Sequence, residues 1–199
     1  GDPVNISQHP DVDTSPVWSA NGQMIAWSSR RHGNEFDVLF AYLTREDDER
    51  TREEWEIWEK TRDDPPKKKD DDTGEVEEKD EDDKEDEEKK EEELTVKIDF
   101  EDLYLRARRA TNLPGDEFVV ALHEKGDKIA FTATVEGDRD LYTVNRFGEE
   151  MEALTTGGTD PKSIGFGPDG KTLYFVKGGK PAYVGIDGGK VETVAFRAR

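Results

Sequence analysis

The sequence predicts an all-β chain, a partial β-propeller of about three four-stranded blades that carries a long acidic insertion. The first observation behind this is a hairpin that occurs three times. Residues 161–175 read as a strand, a Pro-Asp-Gly turn and a second strand, and residues 16–27 and 122–131 repeat the pattern. Trp18, Leu122 and Phe166 each stand four residues before the turn glycines Gly22, Gly126 and Gly170. Trp27, Phe131 and Phe175 each stand five residues after those glycines, with Ile25-Ala26, Ile129-Ala130 and Leu173-Tyr174 between. The second observation is spacing. Gly126 and Gly170 lie 44 residues apart, inside the roughly 40–50-residue period of a four-stranded propeller blade. The third is order: strand follows strand without an intervening helix, which disfavours bundles, coiled coils and Rossmann units.

The elements follow in chain order. Residues 1–7 resemble the middle of a repeat, since Gly1 precedes Gly22 by 21 residues and Gly148 precedes Gly170 by 22. The chain is therefore expected to begin inside a repeat, as a piece of something longer. Strands are expected at 17–19, 24–28 and 36–43, the last rich in aromatic and branched residues, with a polar loop at 29–35. The second unit places strands at 118–123, 128–134, 140–145 and 150–154, with a loop at 135–139. The third unit runs from 160 to 196, with its third strand at 181–186 and its fourth at 190–196. In its hairpin Pro168 presets a negative φ and Gly170 supplies the positive φ that the turn requires.

Gly22 and Gly126 are 104 residues apart, and an insertion accounts for the excess. Residues 44–62 predict a short helix that shows Trp55 and Trp58 on one face, ended by Pro65-Pro66. Residues 64–93 hold 18 acidic and 7 basic residues, and so carry −11 of the net charge of −20. With almost no apolar side chains, this run is expected to stay disordered. Order is expected to resume at residues 94–100. The domains read as 1–44 (blade, entered mid-repeat), 45–93 (acidic insertion) and 94–199 (blades continuing to the C-terminal exit).

Composition limits function. Net acidity argues against nucleic-acid binding, which needs Lys/Arg surfaces. No apolar run approaches the roughly 20 residues of a membrane span, and no signal peptide is visible at the N-terminus. The absence of cysteine excludes disulfides, thiol catalysis and cysteine-based zinc sites, and leaves the compartment open between cytoplasm, the preferred reading, and periplasm.

Residues 96–106, Val-Lys-Ile-Asp-Phe-Glu-Asp-Leu-Tyr-Leu-Arg, and then Leu113-Pro114-Gly115-Asp116 bring in a resemblance. With the Trp-Ser-x-x-Gly and Phe-Gly-Pro-Asp-Gly hairpins, they look like the propeller of tricorn-like serine peptidases (family S41). In that family an Ile-Asp strand, an apolar residue and an Arg precede a Leu-Pro-x-x-Gly-like turn between blades. Ile98, Asp99, Leu103, Arg106 and Leu113-Pro114-Gly115 occupy those places here. The hairpin by itself is shared with TolB-type and prolyl-oligopeptidase-type propellers. The resemblance covers nearly the whole chain outside the acidic run. It implies a non-catalytic propeller that gates or channels peptides and supports domain assembly, whose partners are the other domains of a peptidase and peptide or protein substrates. The alternatives are a TolB-like protein-binding propeller and the propeller of a prolyl-oligopeptidase-type enzyme.

No catalytic constellation is present in the sequence. It lacks a Gly-x-Ser-x-Gly elbow and a Ser-x-x-Lys motif, and His9, His32 and His123 fall on expected loops or strand edges. The glycine pairs at 157–158, 178–179 and 188–189 lack the Lys-Ser/Thr of a phosphate loop. Asp11, Asp13 and Asp169 lack the spacing of a calcium loop. No cofactor and no metal are expected. Trp18 and Trp27 are assigned to packing between sheets. Arg106, Arg108 and Arg109 are expected to pair with Asp99, Glu101 and Asp102, or to form a basic rim for peptide carboxylates. Trp55 and Trp58 are expected to anchor the insertion or to dock a partner. The acidic run reads as a solvated loop or as bait for basic partners. Three blades expose two open ends, so marginal stability or oligomerisation is expected.

Overall fold

A computed structural model describes residues 2–62 and 95–194, and the expected disorder of residues 64–93 and the Pro65-Pro66 stop lie outside them. The described residues fall into two compact units, one of residues 2–48 with 95–194 and one that contains residues 49–62.

The larger unit holds three four-stranded antiparallel sheets. The first contains β1 (Asp13–Trp18), β2 (Met24–Ser29), β3 (Asp37–Tyr42) and β4 (Arg108–Arg109). The second contains β5 (Glu117–Leu122), β6 (Lys128–Val135), β7 (Asp138–Asn145) and β8 (Glu152–Ala153). The third contains β9 (Lys162–Phe166), β10 (Thr172–Lys177), β11 (Lys180–Gly185) and β12 (Glu192–Thr193). Each sheet is a meander, strands side by side in chain order.

The three hairpins repeat to the hydrogen bond. Ser19 N donates to Met24 O at 3.0 Å, His123 N to Lys128 O at 2.9 Å and Gly167 N to Thr172 O at 2.7 Å. The turn glycines Gly22, Gly126 and Gly170 have φ of 69, 68 and 62°, a region closed to most side chains. The same positions also pair across each sheet, Trp27 with Leu39, Phe131 with Tyr142 and Phe175 with Ala182.

Alternation along the strands gives each sheet two apolar faces. Leu173, Phe175, Ala182 and Val184 of the third sheet are buried against Ala130, Leu141 and Leu154 of the second. β5 packs on β1 and β2, with Phe118 on Phe36 (ring centroids 5.0 Å) and Ser28 Oγ accepting from Val119 N at 3.0 Å. Three antiparallel blades layered in chain order make this an all-β partial propeller.

Several elements differ from the sequence reading. The expected loop at 135–139 is a two-residue turn, because β6 and β7 stay paired to Val135↔Asp138. Glu136 and Gly137 both take positive φ (53 and 94°), the mirror-image turn that suits strand twist. Residues 96–100 form no strand. Their backbone is tied to the first sheet by Asp99 N, which donates to Leu43 O at 2.9 Å. The single helix expected over 44–62 is two, α1 (Arg45–Glu49) and α2 (Arg52–Arg62). Each starts at its own threonine cap: Thr44 Oγ1 accepts from Asp47 N at 3.1 Å, and Thr51 Oγ1 from Glu54 N at 3.3 Å. Glu54 reaches back to Thr51 N at 2.7 Å. A second capping box inside one helical pattern restarts the helix.

Candidate functional site

The first sheet buries one face on the second sheet, and its other face is covered by irregular segments of the chain rather than by a sheet. Ile25, Trp27, Leu39, Ala41, Leu43 and Leu103 form a buried cluster on that outer side, with Ile6, Ile98 and Ala107 packed against it. A cavity of about 590 Å³ lies on it, between Trp18, Ile25 and Trp27 on one side and Val4, Ile98 and Phe100 on the other. Trp27 is 4% exposed, but Trp18 is 50% exposed. Trp18 is therefore not the inter-sheet core residue that its repeat position predicts. Its equivalent Leu122 is 8% exposed, because a preceding sheet covers it. Val4, Val12, Val96, Phe100 and Leu105 are also exposed.

A polar clasp crosses from the first blade to the second. Thr111 Oγ1 accepts from Val38 N at 2.9 Å, and its hydroxyl donates to Glu117. Glu117 is fully buried and also accepts from Leu113 N at 2.6 Å. Burial pushes its carboxyl up to about 7, against the pull of the Thr111 and Leu113 hydrogen bonds. Nearby, Asp37 pairs with Arg109 at 2.7 Å and faces His32 at 3.6 Å. Burial and then the Arg109 charge lower the His32 pKa. Asp116 Oδ1 caps Phe36 N at 3.0 Å. Between these groups sits Gly115, where a Cβ would lie 2.0 Å from the Thr134 carbonyl oxygen.

The residues proposed from sequence for partner contact fall into two groups. Arg106 is buried and donates to the carbonyl oxygens of Leu43 (3.2 Å) and Asp99. Arg108 pairs with Asp48 at 2.9 Å and Arg109 with Asp37. The expected carboxylate partners Asp99, Glu101 and Asp102 are thus replaced: Arg108 and Arg109 form β4 on the edge of β3, which turns them toward Asp48 and Asp37. Asp99 instead accepts from the Arg45 amide at 2.9 Å, which holds its carboxyl low. In the smaller unit Trp58 meets Trp55 edge-on at 5.3 Å, and the Arg50 guanidinium lies 4.5 Å from the Trp55 ring.

The histidines are engaged structurally. His9 Nδ1 accepts from Asp11 N at 3.3 Å. His123 bonds Asp127 and stands edge-on to Phe166 at 5.4 Å. Burial disfavours the Asp127 carboxylate, but the His123 contact, a backbone hydrogen bond and the Arg146 charge together keep its pKa low. Among the described residues no three His, Asp or Glu side chains gather in a metal-holding group.

Sequence reasoning missed Thr111 and Glu117. The available signal was register: Ser7, Thr111 and Thr155 each stand eleven residues ahead of Trp18, Leu122 and Phe166. Nothing local marks Glu117, whose burial comes from the neighbouring blade.

No protein-family model matches the chain, and no curated protein sequence matches it. Solved structures do. The chain is similar to a TolB from Agrobacterium tumefaciens at 13% identity and a TM-score of 0.51, over 97% of this chain and 65% of that one. A TolB from Acinetobacter baumannii aligns at 14% identity and a TM-score of 0.47, over 89% and 31%. The tricorn protease aligns at 20% identity and a TM-score of 0.36, over 44% and 8%. The chain is a propeller. It spans 65% and 31% of the lengths of those two TolB proteins.

Proposed function

We propose that this chain is the non-catalytic propeller of a tricorn-like serine peptidase, where it gates peptides and supports the domain assembly. The observation that carries the reading is the connection that leads from the first blade to the second, residues 98–115. The residues of the tricorn resemblance (Ile98, Asp99, Leu103, Arg106 and Leu113-Pro114-Gly115) are not scattered. Ile98 and Leu103 pack on the first sheet's outer face, Arg106 ties residues 43 and 99 together, and Gly115 lets the chain cross to the second blade. A motif spent on blade connection fits a scaffold whose chemistry lies elsewhere.

The test is to express the complete reading frame that contains this chain and treat it with a serine-reactive phosphonate probe. Labelling of a serine outside residues 1–199, with turnover of long peptides altered by Arg108→Ala or Arg109→Ala, supports a peptidase gate. No labelling leaves the TolB-like alternative, a propeller that binds a protein partner.

A further inference from the structure

The β6–β7 turn end of the second sheet carries an acid, a hydroxyl and a base in one row, and we infer that this row binds a short free peptide by its two charged ends. Thr134 of β6 pairs with Arg139 of β7, and its amide donates to the Asp116 carbonyl oxygen at 3.1 Å. Residues paired across antiparallel strands share a face of the sheet. Asp116, Thr134 and Arg139 therefore cross three adjacent strands on one side. Phe118, paired with Thr132, stands in the next row on that side. A cavity of about 490 Å³ opens over Asp116, Phe118, Thr134 and Arg139, and Glu35 from the loop between β2 and β3 also lines it. That volume falls in the usual range of roughly 300–1,000 Å³ for small-ligand sites.

The two ends of the row carry opposite charges with capacity to spare. Asp116 uses one carboxylate oxygen, Oδ1, to accept from Phe36 N at 3.0 Å. Among the described residues no Lys or Arg pairs with Asp116 or Glu35. Arg139 is oriented by Thr132, whose Oγ1 accepts from Nη2 at 3.1 Å. Its Nη1 lies 3.5 Å from Asp160, and Lys162 reaches the same carboxylate at 3.2 Å. Two cations thus share Asp160. The Arg139 side chain is 37% exposed, and a guanidinium has donors enough for a second carboxylate.

Length selects the ligand. Asp116 and Arg139 stand two strand spacings apart, about 10 Å between backbones, and Arg139 shortens the span by folding back over β6 to Thr132. At about 3.5 Å of chain per residue, one amino acid is too short to touch both ends, while a dipeptide or tripeptide spans the row. Its ammonium sits on Asp116 and Glu35 and its carboxylate on Arg139. Between them the Thr134 hydroxyl meets a peptide group, and Phe118 offers an apolar surface to a side chain. The ligand is recognised by its ends rather than by its sequence. The site needs no catalytic domain, so it stands or falls separately from the peptidase reading.

Equilibrium dialysis of labelled trialanine against the 199-residue chain tests this. Binding is expected, and N-acetylation or C-terminal amidation of the peptide is each expected to weaken it by about tenfold, since each removes a charge-assisted contact. Free alanine is expected to bind about tenfold more weakly than trialanine. Asp116→Asn, whose amide oxygen can still cap Phe36, is expected to weaken trialanine and to reduce the effect of N-acetylation. Arg139→Gln is expected to weaken trialanine and to abolish the effect of amidation. Any of four results overturns the inference: no binding of trialanine up to about 10 mM, equal affinity for the free and the doubly blocked peptide, alanine as tight as trialanine, or variants whose losses do not follow the matching block. The comparison of free and blocked peptides uses the wild-type chain, and so decides the matter even if a variant fails to fold.

Discussion

The hydroxyl of Thr155 donates to the carboxylate of Asp140 at 2.7 Å, while its oxygen accepts from Leu141 N at 2.9 Å. Thr111 and Asp37 hold the same two positions in the first blade, and there Thr111 turns to Glu117 while Asp37 takes Arg109. One repeat site thus closes each blade onto the next with different partners. Asp140 also accepts from Gly158 N at 2.9 Å and Thr159 N at 3.0 Å. Burial opposes its charge, and these three donors prevail, holding its pKa low. Asp140→Ala is expected to cost about 2–3 kcal/mol in urea unfolding, because charged hydrogen bonds are lost and donors left orphaned. The wild-type contribution is present above the unfolded carboxyl pKa of about 3.9 and is lost as pH falls through the lower folded value.

Glu117 behaves in the opposite sense. Its folded pKa is about 7, so the native state keeps a proton that the unfolded chain sheds above about 4.3. Stability is therefore expected to fall as pH rises from about 4.3 to about 7, by up to about 4 kcal/mol from this group. Glu117→Gln, which stays neutral, is expected to flatten that stretch of the stability–pH curve. Chemical unfolding at half-unit pH steps measures both.

Gly115 lies at φ +95°, and its missing Cβ faces a backbone oxygen rather than a flexible side chain. Gly115→Ala is expected to destabilise by about 2–4 kcal/mol, combining backbone strain with a clash that β6 cannot yield to without losing pairing. A melt that drops by less than a degree would show that the crossing tolerates a side chain.

Thr51 and Glu54 cap α2 reciprocally, Thr51 N to Glu54 Oε2 at 2.7 Å and Thr51 Oγ1 to the same oxygen at 2.8 Å. These bonds hold the Glu54 carboxyl low. Thr51→Ala is expected to weaken this helix by about 1 kcal/mol, read as lost ellipticity at 222 nm with the main β melt unchanged.

The three hairpins, the sheet count and the apolar register of the hairpin strands were legible in the sequence, because their causes are local; β4, held by pairing with β3, was not. Alternation, turn glycines and repeat spacing act within about ten residues. α2 was legible only as part of one longer helix, although the capping box that restarts it is written in four consecutive residues. Trp18 shows the limit of that reading. Its place in the repeat makes it a core residue, and whether it is covered depends on which sheet lies in front of it. The partners of Arg108 and Arg109 were likewise decided by pairing with β3 across more than 60 residues of chain, not by the nearby Asp99, Glu101 and Asp102. Glu117 is an ordinary acid in sequence, and becomes a buried, high-pKa one only when the neighbouring blade removes its water. The sequence by itself determined the blades. Tertiary structure decided which faces meet, which charges are desolvated and which cavity stays open, because those depend on what the next layer brings.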